Sequence, residues 1–219
     1  MKKTILFDLD GTLIDSTEAI VLSFFDVYDR FGFKKPNVED IKRLIGHTLE
    51  DMFLSLGIED SRVIKESVLS YKKFYRQRAL EMTTLLPGAS EAIEVASKIA
   101  DLGIVTTKTG RYSKDLLEHF GVMSSFKTLI GREHVAHPKP HPEPIQKALE
   151  EINKDSKNCW MIGDTKLDLI CAKRAGVKPV AVLSGYGKKD ELKKYSDTIF
   201  SNSLEAVKWI ENLPTLQAD

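Results

Sequence analysis

Thr4-Ile5-Leu6-Phe7-Asp8-Leu9-Asp10-Gly11-Thr12 is the stretch whose reading decides the fold. Its apolar half is short and rich in β-branched and aromatic residues, which predicts a buried strand. Side chains of an extended chain alternate, so Asp8 and Asp10 project to one side and Leu9 to the other. Gly11 permits a sharp exit from the strand. The carboxyl end of a first strand is where an open α/β sheet holds its ligands. Two carboxylates so close repel, which calls for a cation, and hard oxygen donors suit Mg²⁺. Taken alone, the same residues also fit a solvated Asp-Gly turn after a strand.

Outward from this stretch the pattern is first wholly helical. Asp15 and Glu18 have capping-box spacing. Val21, Phe24, Phe25, Tyr28 and Phe31 then recur at helical intervals until Gly32. Pro36-Asn37 opens a second helix running to about Leu44. Thr48 and Asp51 repeat the capping-box spacing before a third helix that ends at Gly57. A fourth helix is predicted from about Asp60 to Leu80. The aromatic stripes are most simply helix–helix core contacts. After Pro87-Gly88, strand and helix alternate. Strands are predicted at 102–106, 126–130, 159–162, 180–183 and 198–200, with helices at 89–99, 112–120, 143–151, 168–175, 190–195 and 204–212. That alternation predicts an α/β fold, a Rossmann-like parallel sheet with helices on both faces. A helical cap domain, residues 15–83, is inserted after the first strand of a core formed by 1–14 and 84–219. Its two linkers, near Leu13–Ser16 and Thr83–Gly88, lie side by side as a hinge would.

The composition fits a soluble globular chain of 219 residues, 42% hydrophobic and 29% charged. Basic and acidic residues number 32 each, so no long-range field favours nucleic acid or a membrane surface. No apolar run approaches the roughly 20 residues of a membrane span. The run after Lys2-Lys3 is too short for a signal peptide. Cys159 and Cys171 read as buried free thiols, and a cytoplasmic location is expected. Monomer and homodimer are both open.

If the carboxyl edge of the sheet is a site, its other strands should also end in chemistry. The second ends in Thr106-Thr107-Lys108, where a hydroxyl and free backbone N–H groups suit phosphate oxygens. A Thr-rich turn is the plainer alternative. After the third strand, Pro138-Lys139-Pro140-His141-Pro142 holds a lysine in a stiffened loop. The fourth ends in Gly163-Asp164-Thr165-Lys166-Leu167-Asp168, whose two acids either join Asp8 and Asp10 around a metal or cap a helix.

Together, Asp8-Leu9-Asp10-Gly11-Thr12, the apolar run ending in Thr106, Lys139 in its Lys-Pro-x-Pro-x-Pro setting, and Gly163-Asp164-Thr165-x-x-Asp168 resemble, in order, the four motifs of the haloacid dehalogenase-like superfamily. The likeness is greatest to its phosphoglycolate phosphatase-like branch. It implies a Mg²⁺-dependent phosphatase of small phosphate esters. Asp8 is then the nucleophile, forming an aspartyl-phosphate, and Asp10 the general acid–base, with a pKa raised for that work. The resemblance also implies that Mg²⁺ is held by the Asp8 carboxylate, the Asp10 carbonyl and Asp164, with Asp168 as ligand or support. Thr106, Lys139 and backbone amides near Gly11 and Thr107 hold the phosphate oxygens, and Lys139 pairs with Asp8. Relatives often carry Asn where Thr107 stands. Arg43, His47, Thr48 and Lys108 are candidates for meeting a small anionic leaving group such as glycolate, with His47 as a helix cap and Arg43 in solvent as the plain alternative. A phosphomutase or pyrophosphatase on the same scaffold is the alternative activity. Related sugar-phosphate mutases carry arginine about where Leu49 stands. A phospho-accepting switch fits less well, because it has no use for Asp10 or the insert.

Overall fold

The computed structural model describes residues 2–214. The first strand, β1 (Lys3–Phe7), is buried along its whole length. Its alternation divides the core. Ile5 and Phe7 point into one apolar cluster and Leu6 into another. Lys3 is accommodated because its ammonium donates to the carbonyls of Ile210, Glu211 and Leu213 at 2.6, 3.0 and 2.8 Å.

The chain then makes a two-residue strand, β2 (Ile14–Asp15), and four helices: α1 (Thr17–Phe31), α2 (Val38–Leu44), α3 (Leu49–Ser55) and α4 (Ser61–Arg78). It returns through β3 (Thr84–Leu85), α5 (Ala89–Ile99), β4 (Ala100–Val105), α6 (Gly110–His119), β5 (Phe126–Ile130) and α7 (Glu143–Glu151). It ends with β6 (Cys159–Gly163), α8 (Lys166–Arg174), β7 (Lys178–Val182), α9 (Lys189–Leu192), β8 (Ile199–Phe200) and α10 (Ser203–Glu211). The six-stranded sheet has the order β5-β4-β1-β6-β7-β8, every pairing parallel. This is the predicted α/β architecture. The order reverses between β1 and β6, so the crevice for a ligand opens beside the ends of those two strands. Helices α5 and α10 lie on the Ile5 face, and α7 and α8 on the Leu6 face.

The insert α1–α4 packs on aromatic contacts. Phe24 meets Phe53 and Tyr71 with ring centroids at 4.7 and 5.0 Å, and Tyr71 stacks on Tyr75 at 5.7 Å. Asp60 caps α4 by accepting from the backbone N–H of Arg62 at 2.7 Å. Thr48 accepts from the Asp51 N–H at 3.2 Å. The capping box expected at Asp15 and Glu18 does not form. Ser16 is the N-cap residue of α1, its hydroxyl is drawn to Asp10, and Asp15 accepts from Thr17 instead.

Both predicted linkers are more ordered than their sequence signals: β2 and β3 pair antiparallel, Ile14 with Leu85 and Asp15 with Thr84. Strand β4 begins at Ala100, two residues before the predicted start, and takes in Asp101. Lys2, Lys127 and Lys154 approach that carboxylate at 3.1, 2.9 and 3.0 Å, which offsets its burial. Helix α8 begins at Lys166, because Thr165 and Asp168 form a capping box ahead of the predicted start. Cys159 and Cys171 are buried free thiols, as expected. Among the described residues, no helix is long and apolar enough to cross a membrane.

Candidate active site

Every strand around the reversal delivers a polar side chain to the same edge. Asp8 follows β1 directly, and its N–H donates to the Ile162 carbonyl of β6 at 2.9 Å. The side chain is buried, with Oδ1 accepting from Lys139 at 2.7 Å. Lys139 comes from the proline-rich loop after β5, where its bond to Pro140 is cis. Its ammonium also donates to Val105 O at 3.0 Å and Asp168 Oδ1 at 2.5 Å. Asp168 gives its other oxygen to Thr165, whose N–H and hydroxyl donate at 3.0 and 2.7 Å. Asp164, at the end of β6, accepts from the Thr12 hydroxyl at 3.1 Å and the Tyr186 N–H at 2.8 Å.

Asp8, Asp164 and Asp168 each offer a carboxylate oxygen within 4.8 Å of the other two. Two of these three buried carboxylates share one buried ammonium, and the third accepts from neutral donors. The electrostatics follow from that imbalance. Burial pushes the Asp8 carboxyl up to about 7; Lys139 opposes the shift, while Asp168 and Asp10 add to it. Burial likewise raises Asp164, with Asp168 and Asp8 reinforcing the effect. Burial acts to lower Lys139, but Asp168 and Asp8 outweigh it and hold the ammonium charged. Hard oxygens with excess negative charge fit a divalent cation. Asp168 accepts from the Lys139 ammonium and from Thr165, whereas Asp164 accepts only from the neutral Thr12 hydroxyl and Tyr186 N–H, and Asp8 meets Lys139 through Oδ1 alone, so Asp8 and Asp164 are the better-placed carboxylates.

Asp10 does not join this cluster through its side chain. Lys108 grips both of its oxygens at 3.0 Å, and the Ser16 hydroxyl donates to Oδ1. Lys108 itself lies over the Tyr75 ring of α4, 4.4 Å from its centroid. Burial acts to lower the Lys108 pKa, but Asp10 reverses the shift. The polypeptide turns tightly here. Gly11 has φ +83°, and a Cβ on it would lie 2.5 Å from Asp164 Oδ2.

Other expected site residues divide. Thr106 is buried, and its hydroxyl accepts from the Lys108 N–H at 3.1 Å. The Thr107 hydroxyl donates to Gly46 O of the insert at 2.9 Å, tying the two units together, while the phosphate role expected of Thr107 belongs to its backbone N–H. Between sheet edge and insert, beside Asp10, lies a cavity with about 630 Å³ of non-atom space, open solvent included. His47 and Lys108 line it. Burial lowers the His47 imidazole, only partly offset by Asp51. Arg43 is not among the lining residues; it is exposed, paired with Asp40 and bonded to Glu39 O. Thr48 is spent on capping α3. The grouping of these four around one leaving group is therefore not what the structure brings together.

The sequence reading missed Ser184-Gly185-Tyr186, which follows β7. The Ser184 hydroxyl donates to Gly11 O at 2.8 Å, and the Tyr186 hydroxyl meets that of Thr17 at 2.9 Å. A Cβ on Gly185 would lie 2.1 Å from Asp164 Oδ2. A serine and glycine at one more strand end were the available signal.

Comparison with known proteins agrees with this geometry. Residues 5–182 match the pattern of the haloacid dehalogenase-like hydrolases. Probable phosphatase IndB of Dickeya dadantii is 33% identical over 213 residues, covering 94% of this chain and 92% of its own. Pyrophosphatase PpaX of Bacillus velezensis is 33% identical over 205 residues, covering 89% and 94%. The solved structure of a haloacid dehalogenase-like family hydrolase from Streptococcus pneumoniae superposes with a TM-score of 0.85 at 28% identity, covering 95% and 98%. A reversal-point acid cluster, a buried lysine bridging two of its acids and a second acid held beside it thus occur in a chain that belongs to the haloacid dehalogenase-like hydrolase family.

Proposed function

We propose that the protein is a Mg²⁺-dependent phosphatase of small phosphorylated metabolites that works through an aspartyl-phosphate. The observation that carries this reading is the division of labour between two acids separated by one residue. Asp8 lies among the metal-suited carboxylates with Lys139, and Asp10 is held apart by Lys108 and Ser16.

In the first step an Asp8 oxygen attacks phosphorus and the bond from phosphorus to the alcohol oxygen breaks. The departing alkoxide takes a proton from Asp10. In the second, Asp10 takes a proton from water as the water oxygen attacks phosphorus. The Asp8–phosphorus bond breaks, and inorganic phosphate leaves. Lys139 and backbone N–H groups around Gly11 and Thr107 carry the charge of the phosphoryl oxygens, with Thr106 beside them. Asp8, Asp164 and the Asp10 carbonyl would hold Mg²⁺, which would supply positive charge for the approach of one anion to another. Residues 15–83 act as a cap over the core of 1–14 and 84–219, moving on the β2–β3 ribbon. The name of the Bacillus relative supports a second reading, pyrophosphate hydrolysis, in which the leaving group is itself phosphate.

Asp8→Asn is expected to reduce phosphate release from p-nitrophenyl phosphate by roughly four orders of magnitude or more. Chelation of Mg²⁺ is expected to stop the wild-type enzyme reversibly. Undiminished turnover by the Asp8→Asn protein would sink the mechanism.

A further inference from the structure

We infer that the alcohol released by this enzyme is apolar or aromatic beside its phosphate-bearing carbon, and is not a second phosphate. The inference rests on the phosphatase reading and concerns the cavity next to Asp10, where the leaving group must lie to receive its proton. The wall facing the sheet edge is built by Leu49, Met52, Val68, Tyr71, Tyr75 and Tyr112, drawn from α3, α4 and α6. Tyr71 and Tyr75 are buried and stacked. Such a surface gains by covering hydrocarbon or an aromatic ring, and its buried Tyr75 hydroxyl, without a partner among the described residues, can donate to one acceptor only.

Charge accounting argues against a second phosphate. An anionic leaving group beside Asp10 needs a cation of its own. Lys108 is committed to both oxygens of Asp10 and to the Tyr75 face. His47 is biased towards the neutral imidazole, and Arg43 lies outside the lining. Glu50 and Lys72 also line the cavity and bring one charge of each sign. Arg132 donates from Nη1 to Val135 O at 3.2 Å, and its Nε–H is buried without a partner among the described residues. Arg132 is a lining cation for which the described residues show no acid partner, and it suits one acceptor on the far side of the alcohol. It does not make the ring of cations that a phosphate leaving group requires.

The test compares kcat/KM, with Mg²⁺ present, for 2-phenylethyl phosphate, phosphoglycolate and pyrophosphate, with p-nitrophenyl phosphate as a reactive general ester. The expected result favours 2-phenylethyl phosphate over phosphoglycolate by at least about tenfold, the order of discrimination that added buried hydrocarbon supplies. Leu49→Lys is expected to reduce that ratio. Because both substrates are assayed on one preparation, partial misfolding of the variant cancels. A wild-type ratio near one, or a preference for phosphoglycolate or pyrophosphate, would overturn the leaving-group assignment and leave the phosphatase reading intact. No turnover of any of the four would remove the phosphatase reading, and this inference with it.

Discussion

In the proposed mechanism Asp8 attacks as a carboxylate, yet its surroundings favour the protonated form, to about 7. Metal binding must therefore displace a proton at and below neutrality. The expected outcome is a Mg²⁺ affinity that falls as pH drops, by up to about tenfold per pH unit for each proton displaced from Asp8 and from the likewise raised Asp164. Calorimetric titrations across that range check this, and an affinity independent of pH would contradict it. Lys139 presents the complementary case. Lys139→Met leaves Asp8 and Asp168 buried without their cation, at a cost of roughly 3–5 kcal/mol in metal-free buffer near neutrality. Lys139 holds the Asp8 pKa down, so its loss lets burial raise that pKa further. Once both carboxyls are protonated they need no counter-charge. The deficit should shrink as pH falls, which denaturant unfolding at two pH values would show. Asp8, Asp10 and Asp164 were legible because they follow strands closely, Asp168 by its spacing from Asp164, and Lys139 by the prolines around it. The bond from Lys108 to Asp10 joins residues 98 positions apart, and no local signal announces it.

Elements were legible in proportion to their length. Helix α4 and strand β5 announce themselves through periodicity and flanking breaks. The β2–β3 ribbon has two residues on each side, too few to show alternation. The contact of the insert with the core through Thr107 was similarly hidden, because its hydroxyl reaches a carbonyl 61 positions away and no local pattern announces such a bond. Thr107→Val removes the bond to Gly46 O, worth about 1 kcal/mol when made. The expected consequence is faster amide hydrogen exchange around residues 45–48, with KM raised several-fold and kcat changed less. Unchanged exchange in that segment would mean that the bond does not hold the insert down.

Across the whole molecule, chemistry gathers at the carboxyl edge of the sheet and stability is anchored at the opposite edge. Asp101 shows the second half. Burial would raise its carboxyl, but hydrogen bonds from Lys127, Lys154 and Lys2 outweigh it and hold the pKa well below the ordinary range. A carboxylate depressed in the folded state stabilises fully above its unfolded value of about 3.9, and that contribution is lost as pH falls through the folded one. Asp101→Asn is expected to lower stability at neutral pH by about 1–2 kcal/mol, the gap narrowing under acid. Thermal unfolding at neutral and acid pH measures it, and activity per folded molecule should be unaffected, since the residue lies far from Asp8 along the sheet.

The strand order has a consequence for synthesis. β1 is made first but lies between β4 and β6, so the nascent chain carries its central strand unpaired until residues 100–105 and then 159–163 have emerged. The helices between contact one another locally and can pack while the chain is still growing. Once packed, they bring residue 15 beside residue 84, so β1 reaches β4 across a short effective loop instead of one of some 90 residues. The acid cluster cannot assemble before Asp164 and Asp168 leave the ribosome. The growing polypeptide thus carries an unassembled catalytic apparatus until its sheet has nearly closed.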